Sequence, residues 1–145
     1  MAEGSRLRTV SWILLAIVGG LSLLFSLASA YVAYGGARDE FGRNGPTVAD
    51  VAEWNPQVAK AISGRRGTAA AYAAGYSLLF LVIVLLPYRQ GQLWSWWALL
   101  GASVLTSGMM LLRVPLLDHR LGAGTAAVQL ALVIVALALG FKRSA

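Results

Sequence analysis

The residues best suited to chemistry are Arg113, Asp118 and His119, which lie close together in the sequence at the end of a long apolar stretch. A charge close to hydrocarbon is costly unless it reaches the interface or finds a partner, so such a residue is a candidate functional site. Two interpretations of Arg113 remain open: it extends to the interface and pairs with Asp118, or it binds an anion or a lipid headgroup. Asp118 and His119 could exchange protons with a ligand, although adjacent helical residues point in different directions.

Three further candidate ligand-binding residues, Tyr72, Tyr76 and Gln129, lie within other apolar stretches. Tyr72 and Tyr76 are one helical turn apart, so they could line a lipophilic pocket or anchor a helix at the membrane interface. Gln129 suits the wall of a mildly polar cavity, or a hydrogen bond between helices. These three residues complete the predicted ligand site.

The composition excludes several other kinds of site. The chain has no cysteine, which excludes disulfides and thiol chemistry, and its single histidine cannot form a His cluster for a metal. No Asp or Glu lies within the long apolar stretches, which argues against a proton relay. The net charge is +6, but the basic residues stand singly or in pairs beside apolar stretches. We predict no metal, no cofactor and no nucleic-acid partner.

The elements that position these residues follow from the apolar content. Of 145 residues, 58% are apolar and 12% are charged, whereas a soluble domain has about 45–50% and about 25%. Four stretches without charge contain 29, 22, 23 and 21 residues, and each is long enough to cross about 30 Å of hydrocarbon as a helix. We predict an all-α, polytopic membrane protein of one domain, with four transmembrane helices at 10–34, 68–88, 93–114 and 121–141.

The first apolar stretch has a second interpretation as a secretory signal peptide. Arg6 and Arg8 form a basic region before it, and Ala28-Ser29-Ala30 fits an A-x-A cleavage site. The apolar core is longer than the usual 7–15 residues of a signal peptide, which favours a retained helix. Cleavage would give a mature chain that begins at Tyr31 and has three spans.

The loop 35–67 has a helical pattern of its own. Thr47 followed by Asp50 predicts a capped helix start, and Asn55-Pro56 predicts a second start. We predict two short amphipathic helices, one with Val48, Val51 and Ala52 on its apolar face and one with Val58, Ala61 and Ile62. They are too short to span a membrane, so they should lie at the interface as a cap, with Trp54 at headgroup depth.

The distribution of basic residues gives an equivocal orientation. With four spans, one side carries five Lys and Arg residues and the other carries seven, so the raw count does not place the termini in the cytoplasm. The first helix usually dominates, and Arg6 and Arg8 precede it, whereas Arg38 is followed by Asp39 and Glu40. We therefore predict a multi-pass protein of the cell inner membrane with both termini cytoplasmic.

Small residues recur at helical spacing in every span. Helices in a membrane associate through close packing at such residues, because lipid tails are as apolar as leucine. The seams could hold the four helices together, or one of them could face another chain. They comprise Ser22, Ser26 and Ala30; Gly67, Ala71 and Gly75; Gly101 and Gly108; and Gly124, Ala127 and Ala131.

The segment 87–97, Pro-Tyr-Arg-Gln-Gly-Gln-Leu-Trp-Ser-Trp-Trp, resembles a turn of small four-span bacterial membrane proteins of uncharacterised function, some of them described as DoxX-like. The preceding loop, with Asn55-Pro56 and Arg65-Arg66, is similar to theirs as well, so the resemblance covers roughly residues 48–100. It implies a bacterial inner-membrane location and a four-helix bundle with an extracytoplasmic cap. It implies no catalytic residue.

Two functional hypotheses follow. The lack of a catalytic constellation favours a non-enzymatic accessory or interaction subunit of a membrane complex, whose partners are the lipid bilayer and either other membrane subunits or further copies of the chain. The alternative is a carrier of lipid or another lipophilic ligand, or a membrane enzyme, with its site between the helix bundle and the cap.

Overall fold

A computed structural model describes residues 2–35, 46–117 and 122–141, and the described residues contain helices and turns without a β-strand. Four of the helices are long and apolar enough to cross a membrane. The all-α prediction with four spans and a short helix between the first two is confirmed. The helices are α1 (Ala2–Gly35), α2 (Val48–Trp54), α3 (Pro56–Ile83, continued by a π-helical turn, Val84–Tyr88), α4 (Leu93–Leu117) and α5 (Ala123–Phe141).

The short helix α2 begins with the predicted cap. The Thr47 hydroxyl accepts a hydrogen bond from the Asp50 backbone N–H at 3.1 Å, and the Thr47 N–H donates to the Asp50 carboxylate at 2.6 Å. Each residue thus satisfies a donor that the first turn of a helix leaves without an intrahelical partner. Hydrogen bonds from the Thr47 backbone, and then from its hydroxyl, hold the pKa of Asp50 below its ordinary value.

The predicted second short helix is wrong as a separate element. The Asn55 side chain does cap a helix start, accepting from the Val58 N–H at 3.2 Å, but the helix that begins there runs without interruption from Pro56 to Ile83. The glycines within 56–83 do not break this helix, because each lowers helix stability by only about 1 kcal/mol relative to alanine. The inward face also differs from the prediction, since Ala59 is buried and Val58 is 40% exposed.

The chain divides into two compact units. The first unit comprises residues 1–20 and 79–145, and the second comprises residues 21–78. In the second unit, Val48 and Val51 of α2 pack against Ala59 of α3, joined by the partly buried Ala52 and Ile62. These contacts give α2 the apolar face that its sequence predicts.

The interior of the first unit is built from residues spaced mainly four apart. On α4 the buried positions are Ser95, Leu99, Ser103 and Ser107, so three of the four are small and polar. This seam belongs to the packed pair formed by α4 and α5. The buried residues on the other elements of the unit are Ser11, Leu15 and Gly19 of α1, Phe80, Val84 and Tyr88 at the end of α3, and Ala126, Val133, Ala136 and Leu137 of α5.

The glycines of the predicted seams are mostly not where the helices meet. A Cβ at Gly67 would lie 2.7 Å from the Tyr34 ring, so this glycine does permit a close approach. A Cβ at Gly75, Gly101, Gly108 or Gly124 would meet no described atom within 4 Å. Of the two roles left open for the seams, packing within the chain is therefore not seen at these four glycines. Among the described residues, serines and alanines provide much of the close packing instead.

The connection between α3 and α4 begins with the π-helical turn. Pro87 lies inside this turn, and the Arg89 N–H donates to the carbonyl of Val84, five residues earlier. The wider turn is compatible with proline, which has no N–H to donate. Gly91 then reverses the chain at a φ of 86°, a left-handed conformation that glycine adopts without steric cost.

Candidate functional site

A buried hydroxyl pair in the first unit links residues of three helices. The Ser11 hydroxyl donates to the backbone carbonyl of Ala136 at 2.6 Å, and its oxygen lies 2.6 Å from the Tyr88 hydroxyl. Because serine has one hydroxyl proton, Tyr88 is the donor to Ser11. The chain of donors therefore runs from α3 through α1 to α5 and ties three helices together.

Two further observations tighten the same region. The Trp96 indole N–H donates to the carbonyl of Leu137 at 3.0 Å, which ties α4 to α5 one residue beyond the Ser11 contact. Gly140 lies one turn further along α5, and a Cβ on it would overlap the Tyr88 hydroxyl. The hydroxyl pair is thus enclosed on its α5 side by a residue that has no side chain.

A cationic cluster lies beside the hydroxyl pair. The Arg8 guanidinium donates to the backbone carbonyl of Arg89 at 2.7 Å, and the Arg89 guanidinium lies 5.1 Å from the centre of the Trp12 ring. Arg8 and Trp12 are one turn apart on α1, so the same helical face holds both arginines. A guanidinium over an indole at this distance is a favourable cation–π contact.

The turn that carries Arg89 is bordered by tryptophans. Trp94 and Trp97 are 55% and 59% exposed, and Trp94 donates its indole N–H to the Gln92 side chain at 2.6 Å. Trp96 points inward to Leu137 and packs edge-on against Trp97, with ring centroids 4.7 Å apart. Exposed tryptophans at the end of an apolar helix are typical of the interface between lipid and water.

This arrangement suits binding better than covalent chemistry. The Ser11 proton is donated to a backbone carbonyl, which cannot act as a general base, so Ser11 is not activated as a nucleophile. Within the described residues there is no group of three or more His, Cys, Asp or Glu side chains that could hold a metal. The two guanidinium groups are donors that anions bind.

The predicted ligand residues are distributed over both units. Arg113 and Gln129 belong to the first unit, where Arg113 is exposed and Gln129 is half-buried. Tyr72 and Tyr76 belong to the second unit, and Tyr72 is 78% exposed. The remaining two, Asp118 and His119, lie outside the described residues. The predicted site stays a prediction.

The hydroxyl pair and the cationic cluster were not predicted as sites. Arg8 and Arg89 were assigned only to the flanks of apolar helices, and Ser11 and Trp12 to the lipid-spanning stretch. A signal did exist, since Ser11 is a polar residue near the start of an apolar helix and Tyr88 stands beside a basic turn. Those residues do not predict which helices meet there.

Comparison with known proteins adds nothing to this geometry. No family model, curated protein or solved structure matches this chain. The resemblance of the segment 87–97 to DoxX-like proteins therefore stays a prediction.

Proposed function

We propose that this chain is a non-enzymatic subunit of a membrane protein complex and that α4 packs against a helix of another chain. The observation that carries the proposal is the open space around Gly101 and Gly108, where a Cβ would meet no described atom within 4 Å. The two glycines are seven residues apart, so they lie on one face of α4.

This face has the chemistry of a helix contact surface. Glycine lets two helix backbones approach closely. Close packing drives the association of helices in a membrane, because the surrounding lipid tails leave no hydrophobic driving force between them. A glycine without such a contact weakens its helix by about 1 kcal/mol relative to alanine. Next to the glycines, Val104 and Leu105 are 48% and 66% exposed, and their side chains would border a helix seated over Gly101 and Gly108.

The test is the size of the complex extracted from native membranes. The tagged chain is produced at native level, extracted in mild detergent and separated by native electrophoresis, and the partner is identified by mass spectrometry. We expect a species larger than a single 15.3 kDa chain in its detergent micelle. The double substitution Gly101→Leu and Gly108→Leu should reduce it by about tenfold, because two leucines hold the partner backbone away from α4.

The matched control is Gly20→Leu, since Gly20 also has nothing within 4 Å and lies on α1. This variant should retain the complex and so separate loss of the α4 surface from a general effect of added bulk. A monodisperse monomer from native membranes, or a complex unaffected by the α4 substitutions, contradicts the proposal. If the larger species contains only this chain, the complex is a homo-oligomer.

We further propose a bacterial inner-membrane location with both termini in the cytoplasm, which the basic flank of α1 supports. A compartment-sensitive reporter fused after Ser144 should give a cytoplasmic signal, and one inserted at Asn44 should give an extracytoplasmic signal. The opposite pair of signals would reverse the orientation. A purified chain whose mass corresponds to a start at Tyr31 would instead show that the first helix is cleaved.

A further inference from the structure

We propose that Arg8 and Arg89 form a binding site for the phosphate of an anionic lipid headgroup. The proposal is independent of the subunit function, because it concerns the end of the first unit where α1 meets the turn after α3. It rests on three observations: the way each arginine is held, the lack of a described carboxylate in the unit, and the aromatic residues beside the turn.

Arg8 is held by the backbone of the turn. Its guanidinium donates to the Arg89 carbonyl at 2.7 Å, and it lies so close to Gly91 that a Cβ there would overlap it. One such bond uses one of the five N–H donors of a guanidinium, so four remain for another acceptor. The backbone contact therefore orients Arg8 without consuming its capacity to bind an anion.

Arg89 is held by an aromatic ring instead of an acid. Its guanidinium lies 5.1 Å from the centre of the Trp12 ring, and a cation–π contact of this kind uses the face of the guanidinium and leaves the N–H donors at its edge available. Trp12 is one turn beyond Arg8 on α1, so the structure places both cations against one short segment of one helix.

The first unit has no described carboxylate to neutralise these cations. Apart from Glu3 and Asp118, whose side chains lie outside the described part of the chain, residues 1–20 and 79–145 contain no Asp or Glu. Two like charges near a low-dielectric surface repel each other, and an anion bound to both removes that repulsion. Among the described residues of the unit no acidic side chain accompanies the two arginines, so an anion from outside the unit would serve as their counter-ion.

The position of the cluster favours a lipid as the source of that group. Exposed Trp94 and Trp97 border the turn that carries Arg89, and tryptophans of this kind lie at headgroup depth. A phosphate at that depth presents several oxygens that match the fork of a guanidinium. A phosphodiester of an anionic phospholipid is therefore the ligand whose chemistry and location both fit.

The test measures binding of phosphatidylglycerol to the purified full-length chain by native mass spectrometry, with phosphatidylcholine and inorganic phosphate as comparison ligands. We expect the parent to prefer phosphatidylglycerol. Arg8→Gln with Arg89→Gln should weaken its binding by about tenfold, the effect of losing charge-assisted hydrogen bonds from two exposed arginines. Arg8→Lys with Arg89→Lys keeps the charge but loses the planar fork, so it should give an intermediate affinity.

The matched control removes two exposed charges elsewhere, Lys60→Gln with Arg65→Gln on α3, and should bind like the parent. Glu3→Gln should leave binding unchanged or stronger. The lysine variant keeps the test decisive if the glutamine variant fails to fold. Equal binding of both phospholipids, or equal loss in the control and the arginine variants, overturns the proposal. Equal binding of inorganic phosphate overturns the assignment to a lipid and identifies a soluble phosphate ligand.

Discussion

Gly140→Ala is expected to lower the free energy of unfolding by about 2–4 kcal/mol. A Cβ at this position would overlap the Tyr88 hydroxyl and lie 2.9 Å from the Ser11 oxygen. The Tyr88 ring is buried, with 6% of its surface exposed, so the hydroxyl moves only if the whole ring moves. That movement breaks the donor bond to Ser11 at a place where water cannot replace it. The higher helix propensity of alanine offsets only about 1 kcal/mol.

The measurement is thermal or denaturant unfolding of the purified chain in mild detergent. Gly20→Ala is the control, because it makes the same change on a helix where nothing lies within 4 Å, and it should be neutral or stabilising by up to about 1 kcal/mol. Combining Gly140→Ala with Tyr88→Phe removes the overlapping hydroxyl, so the double variant should be more stable than the two separate losses predict. A Gly140→Ala variant as stable as the parent would contradict the described packing.

Gly91→Ala is expected to cost about 1–2 kcal/mol in stability, nearly all of it from the backbone conformation, and also to displace Arg8. The φ of 86° is a left-handed conformation that side chains rarely adopt. A Cβ there would also overlap the Arg8 guanidinium, which must leave the Arg89 carbonyl to make room. The second effect should weaken lipid binding as well, because it displaces one of the two arginines proposed to bind the phosphate.

A second glycine isolates the two effects. Gly122 also has a positive φ, 80°, but a Cβ there would make only ordinary contacts, at 3.8 Å to Met110 and 3.9 Å to Thr125. Gly122→Ala should therefore cost only the backbone conformation, about 1–2 kcal/mol, and leave phosphatidylglycerol affinity unchanged. Unfolding in detergent and native mass spectrometry measure the two quantities. If both substitutions changed lipid binding equally, the space that Gly91 leaves for the Arg8 guanidinium would not matter for lipid binding.

The parts of the fold that could be predicted from sequence are those with local causes. Charge-free stretches of about twenty residues predicted the spans because a bilayer forces helices of that length. Thr47 and Asp50 predicted the start of α2 because a helix cap is formed by residues three apart. The restart at Asn55 was predicted, but its helix was expected to end before the second span, since nothing in 56–67 indicates that the two are one helix.

The candidate site depends on contacts between residues far apart in the chain, and such contacts are hard to predict from an apolar sequence. In a soluble helix an apolar stripe shows which face is inward, but in a membrane both faces are apolar. Gly101 and Gly108 were therefore assigned to a packing seam and Gly140 was not, although of these three glycines only Gly140 lies against side chains of other helices. Ser11 and Tyr88 are 77 residues apart, so only the packing of their helices pairs them.

The π-helical turn before Arg89 has a consequence for how related sequences can differ. A turn of this kind holds one residue more than the α-helical turn it replaces, and one residue corresponds to about 100° of rotation around a helix. A homologue with one residue deleted between Ile83 and Arg89 would close this turn into a regular α-helical turn, which takes up that rotation and keeps the tyrosine ring against Ser11. Positions 11 and 140 would then stay restricted to small residues. We expect single-residue deletions in the segment 84–88 to be inherited without substitutions at those two distant positions.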